Sequence, residues 1–434
     1  MSSTTPAGAD NDLRSSGAAH PSRAQLTAWR NALFVIFALC GIGLASWAAR
    51  IPAVGIALQL NTAQVGILLF GIAVGSIVGL IASGHLVATF GAKAVILVTL
   101  LIGPIGLVIA AVGVSVFASF PLSIAGLIIF GAATGTCDVA MNVSGAANER
   151  AIGRTIMPIY HAFFSAGTIV GAGLGALAEA MHIPLEIHIG ALAILLIALL
   201  LWSIRYLLPE GGGTDHAVKP EGSDGWRTRL ATWRDPRTLL IGLIVLGMAF
   251  TEGSANDWLS YAMVHGHHTD RPTGAVVFGV FVTAMTVGRL SGVKLLDRFG
   301  RVPVLRGSAA LAAVGLLILI FVPIVWVAVV GVVLWGLGAS LGFPVGMSAA
   351  ADDPRKAAAR VSAVATIGYV AFLVGPPVIG FLGNQFGILN GLLLVLVLVA
   401  LAGSVSFAAR EPASAPATAP TPLPAPAPPT GPTG

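Results

Sequence analysis

Apolar residues in this chain do not alternate with polar ones at helical or strand spacing; they run on in long blocks. A helix needs about 20 apolar residues to cross roughly 30 Å of hydrocarbon, so each block predicts a membrane-spanning helix. Twelve blocks are present, at residues 31–49, 63–83, 94–114, 119–141, 156–178 and 187–206, then 238–260, 274–296, 303–322, 325–349, 361–384 and 388–408. The long polar stretch 207–237 lies between the sixth and seventh and reads as a linker joining two six-helix bundles, 30–206 and 238–408. Residues 1–29 are polar and 409–434 are a Pro/Ala-rich run, both expected to be disordered cytoplasmic tails. The first block is too long for the apolar core of a cleaved signal, and eleven more follow it.

Basic residues fix the expected orientation, because Lys and Arg are retained in short loops on the cytoplasmic side. With the N-terminus inside, only Arg50 and Arg271 of the 23 Lys and Arg fall in outer loops, and Arg289 lies within a span. The opposite orientation inverts this ratio. The expectation is a multi-pass protein of the cell inner membrane with both termini cytoplasmic. Composition agrees: 9% charged residues against 56% hydrophobic leave lipid as the solvent for the outer surface. The net charge of +5 is then a topology signal and a match to anionic headgroups rather than a nucleic-acid footprint. Cys40 and Cys137 fall in different spans, which argues for small packing residues and against a disulfide framework.

The two bundles are related. Placing Phe90-Gly91 on Phe299-Gly300 sets an offset of 209 that also carries Tyr160, Ala162, Phe163 and Gly171 onto Tyr369, Ala371, Phe372 and Gly380. In the fourth and tenth blocks Gly131 matches Gly336 only at an offset of 205, which marks a small indel.

The loop between the second and third blocks reads Gly84-His85-Leu86-Val87-Ala88-Thr89-Phe90-Gly91-Ala92-Lys93, and that between the eighth and ninth reads Val293-Lys294-Leu295-Leu296-Asp297-Arg298-Phe299-Gly300-Arg301. These two copies, across residues 30–408, resemble the Gly-x-Leu-x-Asp-Arg-x-Gly-Arg-Arg signature of the major facilitator superfamily. The first copy has Ala88 and Thr89 at the acidic and first basic positions, and the second has Val293 for the opening glycine. The segments Tyr160-His161-Ala162-Phe163-Phe164-Ser165 and Glu252-Gly253-Ser254-Ala255-Asn256-Asp257-Trp258 are similar to the bacterial fucose-permease-like branch, which includes uncharacterised inner-membrane members. The resemblance implies an all-α membrane fold of twelve helices in two pseudo-symmetric bundles. It also implies a central cavity lined by helices 1, 4, 7 and 10, and gating loops at Gly84, Gly91, Lys93, Asp297, Arg298, Gly300 and Arg301. An Asp–Arg charge pair in such a loop can hold one conformation.

Polar groups at membrane depth are costly unless they meet a partner or a cavity. Asp138 lies in the fourth block, with Thr134 and Asn142 on the same helical face, and His161 opens the fifth at similar depth. A carboxylate beside an imidazole can exchange protons near neutral pH, so Asp138, His161 and Arg289 are the candidate proton-coupling group, Arg289 able to reach Asp138 in one alternating state. A static ion pair is the competing reading. Glu252, Asn256, Asp257 and Trp258 in the seventh block, with Asn142, are the candidate substrate contacts: carboxylates and amides bind hydroxyls, and an indole offers a flat face to a ring. Trp258 as an interfacial belt residue and Asp257 as a cap at the outer helix end are the structural alternatives. Gly71, Gly75 and Gly79, and Gly167, Gly171 and Gly175, suit close helix packing, while Gly375-Pro376-Pro377 predicts a kink.

No zincin, nucleophile-elbow or phosphate-loop motif is present, so no enzyme chemistry is expected. The expected function is secondary active transport of a small polar solute such as a sugar or related metabolite, probable coupling being to protons. The expected partners are the lipid bilayer, a small-molecule substrate and protons; no cofactor, metal or nucleic acid is called for. Drug or metabolite export by proton antiport is the second reading, and a non-transporting sensor or scaffold the third.

Overall fold

The computed structural model describes residues 21–154, 156–209, 232–353 and 356–411. The expected tails beyond these limits and most of the linker lie outside the described residues. Eleven helices are long and apolar enough to cross a membrane, and a shorter apolar segment, Ile388–Ser404, completes the twelve. The spans of the first half are Arg23–Ala48, Thr62–Phe90, Ala92–Ser115, Phe120–Ile152, Met157–Ala180 and Leu185–Ser203. Those of the second are Pro236–His265, Arg271–Phe299, Arg301–Phe321, Val325–Ala350, Ala357–Phe386 and Ile388–Ser404. Side chains pointing away from both cores are apolar, as at Trp326 (80% exposed) and Ile194 (73%), which a lipid solvent accommodates.

Three boundaries differ from the hydropathy reading, each for a local reason. The first helix begins at Arg23, inside the expected tail, because Ser22 and Gln25 form a reciprocal capping box at its start. The seventh begins at Pro236, with Asp235 accepting the Thr238 N–H as N-cap. The tenth breaks after Ala339 and resumes at Gly342. Pro344 has no N–H to give the carbonyl four residues back, Ser340, and the chain turns there instead of continuing.

The internal repeat is visible in the packing. A Cβ on Gly131 would collide with the carbonyl oxygen of Ile72, and one on Gly336 would approach that of Phe281, which is Ile72 plus 209. Likewise Gly106 meets Gly126 and Phe130, while Gly315 meets Gly331 and Trp335 at the corresponding positions. The offset of 205 in the fourth and tenth spans is therefore the structural register. The signature glycines Gly91 and Gly300 superpose in conformation too, with φ of 77° and 76° between consecutive spans, a region other residues enter only with strain.

Small residues set the helix separations. Gly71, Gly75 and Gly79 face the fourth span, and Gly167, Gly171 and Gly175 face the first. A methyl group at Gly75 would overlap the Ile128 carbonyl, backbone that cannot rotate away. Gly75→Ala is expected to cost about 2–3 kcal/mol by overpacking, read as a lowered thermal midpoint of the purified protein; an unchanged midpoint would contradict this helix approach.

The halves meet at one end only. Calling the end that carries Ser22 and Arg410 proximal, the named contacts between halves are distal. Gly66 abuts Pro376 and Gly380, Ala172 packs on Gly279, Ser260 donates to the Ala48 carbonyl at 3.0 Å, and the Thr62 and Tyr261 hydroxyls lie 3.3 Å apart. Gly84 lies on the same face of the second span as Gly66, five turns away at 3.6 residues per turn. A Cβ there would meet open space. The second span thus leaves the opposing half as it runs proximally, and a cleft opens between the bundles.

Candidate functional site

At the closed end of this cleft lies a cavity of about 230 Å³. Its walls come from both halves: Leu44, Leu69, Ser76, Phe130, Thr134 and Asp138 on one side, Gly253, Asn256, Asp257, Tyr369, Phe372 and Pro376 on the other. The first, second, fourth, seventh and eleventh spans contribute. The tenth, expected from the resemblance, does not, because Trp335 is fully buried edge-on against Phe281 and ties that span to the eighth. The second and eleventh spans take its place in the wall. Pro376 and Pro377 leave the carbonyls of Phe372 and Leu373 without their helical donors, in a wall where polar atoms are otherwise few.

Of the expected site residues, Asp138, Asn256 and Asp257 are brought together around this cavity. Asp257 is not a cap at a helix end; it lies well inside Pro236–His265. Asn142 stands behind Asp138, its amide donating to the Asp138 carbonyl oxygen at 2.7 Å and to Oδ1 at 3.3 Å, so it orients the carboxylate rather than lining the wall. Trp258 departs from both of its expected roles. One residue on from Asp257 turns the side chain about 100° away, so Trp258 is fully buried, edge-on to Tyr261 and against Gly380.

Glu252 and Arg289 come together instead of serving separate sites. Arg289 Nη2 lies 2.8 Å from both Glu252 carboxylate oxygens, and its Nε is 3.4 Å from the Ser340 carbonyl that Pro344 frees. The pair joins the seventh and eighth spans at the break in the tenth, which removes Glu252 from the expected substrate contacts and leaves Arg289 away from Asp138. His161 is exposed and edge-on to Phe37, with no ion pair to Asp138 among the described residues. Tyr160 and Tyr369, equivalent in the repeat, differ in role: Tyr160 is buried and donates to Asn148 at 2.7 Å, whereas Tyr369 faces the cavity.

The distal closure contains an ion cluster. Glu179 is 2% exposed; its Oε1 lies 2.9 Å from Arg50 Nε and its Oε2 3.3 Å from Arg271 Nε. Arg50 also donates to the Ile183 carbonyl at 2.9 Å. Arg50 and Glu179 belong to the first half and Arg271 to the second, so one carboxylate bridges the two. Asp270 caps the neighbouring helix, and hydrogen bonds from Thr273 hold its carboxyl below the ordinary carboxylate range. The signal for this cluster was in the sequence: Arg50 and Arg271 are the two basic residues that the loop count leaves on the distal side.

At the proximal end the expected Asp297–Arg298 lock is absent among the described residues. Asp297 is exposed, and the Arg298 guanidinium lies over the Phe299 ring at 5.3 Å. Arg301 carries the contact instead, 2.6 Å from Asp352 Oδ1 and 3.0 Å from Ser348 Oγ, while Arg237 holds the other Asp352 oxygen at 3.0 Å. In the first half Lys93 donates to the Leu207 carbonyl at 2.6 Å. Cys40 and Cys137 are free and buried with their sulfurs 3.9 Å apart.

Comparison with known proteins fits this architecture. The chain is 34% identical to an uncharacterised MFS-type transporter of Yersinia pestis over 87% of this chain and 96% of that one. The crystal structure of the nucleoside transporter NupG superposes with a TM-score of 0.69 at 17% identity, covering 89% and 98% of the two chains. The fucose:proton symporter FucP of E. coli gives 0.61 at 16% identity, covering 88% and 98%. Residues 249–431 match the family model of the Major Facilitator Superfamily. With its duplicated bundles, its cleft and a full-length relative of the same kind, the chain belongs to the Major Facilitator Superfamily and is a membrane transporter.

Proposed function

We propose that the protein is a secondary carrier that moves a small polar solute through the Asp138–Asp257 cavity by alternating access, coupled to protons. The carrying observation is the cavity itself, built from both halves, shut distally by Glu179 and its arginines and opening proximally past Gly84. With the proximal end cytoplasmic, as the basic loops require, this is an inward-open arrangement in an inner membrane. A sugar or related metabolite suits the mix of carboxylate, amide, hydroxyl and aromatic groups in the wall, and the likeness to a fucose:proton symporter supports that reading.

Asp138 is the proposed proton carrier. It lines the cavity and is held by Asn142 with no arginine partner among the described residues, so it can gain and lose a proton as access alternates. The test is solute uptake into proteoliposomes under an imposed pH gradient. Asp138→Asn is expected to abolish gradient-driven accumulation while leaving exchange of labelled for unlabelled solute. Accumulation at the wild-type level would remove Asp138 from the coupling step.

A further inference from the structure

The charges of the bundle balance everywhere except in the cavity. Glu252 has Arg289, Glu179 has Arg50 and Arg271, and Asp352 has Arg237 and Arg301. Asp257 has no hydrogen bond or ion pair among the described residues, and Asp138 is met only by the Asn142 amide. No Lys, Arg or His lines the cavity. A carboxylate withdrawn from water without a counter-charge costs several kcal/mol, so whatever fills the cavity must supply positive charge. The walls suit a cation in a second way, since Phe130, Tyr369 and Phe372 present aromatic rings to it. The space is small, about that of eight waters at ~30 Å³ each.

From this geometry we infer that the solute carries a protonated amine, which Asp257 binds, while Asp138 holds the transported proton. This rests on the carrier reading above and narrows its substrate class from polar solutes in general to small amines. Asp257 comes from the second half and Asp138 from the first. The ammonium and the proton therefore neutralise one carboxylate in each bundle, and the cavity can cross the membrane without bare charge. The sites are separate, so amine and proton can be loaded together or exchanged.

The experiment is thermal unfolding of the full-length protein in lipid nanodiscs with ethanolamine, glucosamine and agmatine, each paired with its neutral N-acetylated form. At least one amine is expected to raise the unfolding midpoint while its acetylated partner does not. Asp257→Asn is expected to weaken that amine by roughly ten- to hundredfold, and Asp257→Glu to retain it. Should Asp257→Asn fail to fold, the same amine must protect a cysteine placed at Leu69, in the cavity wall, from thiol labelling in otherwise unaltered protein.

Equal stabilisation by the acetylated forms, no response to any amine, or unchanged amine binding in Asp257→Asn would each overturn the inference. The carrier reading fails on a different result, namely a Leu69 cysteine that is never reached from the distal side under any condition. A neutral solute that binds and is transported would leave that reading standing while removing the amine.

Discussion

Glu179→Gln is expected to open the distal end. The substitution removes the charge shared by Arg50 and Arg271 and leaves Arg50, whose side chain is only 4% exposed, without its counter-ion. Removing one member of a buried pair typically costs 3–5 kcal/mol, because the remaining charge stays desolvated. When the halves separate, water can reach Arg50, so much of that cost falls on the closed state alone. A bias of about 3 kcal/mol moves the equilibrium roughly a hundredfold. The measurement is labelling of a single cysteine at Leu69, fully buried behind the closure, by a membrane-impermeant reagent added from the distal side. Labelling should rise by one to two orders of magnitude in Glu179→Gln. Arg271→Gln should act in the same direction and less, since Arg271 is 39% exposed and water already screens it. An Arg271 effect exceeding that of Glu179 would show that the cluster does not work through buried charge.

The second large effect is expected within the second half. Arg289→Leu leaves Glu252, 18% exposed at its side chain, facing the seventh and eighth spans with no partner. A loss of about 2–3 kcal/mol follows, discounted from the fully buried case because Arg289 is 32% exposed. The double variant Arg289→Leu/Glu252→Gln should recover most of it, since an uncharged pair needs no compensation. The quantity to measure is the coupling in a double-mutant cycle of unfolding midpoints, expected above about 1 kcal/mol. Additive losses would mean that the 2.8 Å contact contributes no net stability.

The fold was almost wholly legible because lipid imposes it: length and hydropathy locate the spans, and matched glycines reveal the duplication. The site was legible only in part. Asp138, Asn256 and Asp257 stand out as costly polar groups, and the structure gathers them around one cavity. Sequence spacing does not say which polar groups neutralise one another across helices. Glu252 and Arg289 are 37 residues apart, and Glu179 meets Arg271 from the other half. Trp258 shows the same limit within one helix, where a single step in sequence separates cavity wall from core. The tenth span illustrates a third: hydropathy is blind to a missing N–H, and Pro344 sits inside a run that scores as continuous.

That break has a counterpart that is whole. The fourth span, its partner in the repeat, runs uninterrupted from Phe120 to Ile152. The first bundle therefore swings as one block about the distal seam, whereas the second carries a built-in joint at Ser340, steadied by the Arg289 guanidinium. Symmetry in sequence has become division of labour in motion, with one bundle acting as the lever and the other as the part that flexes.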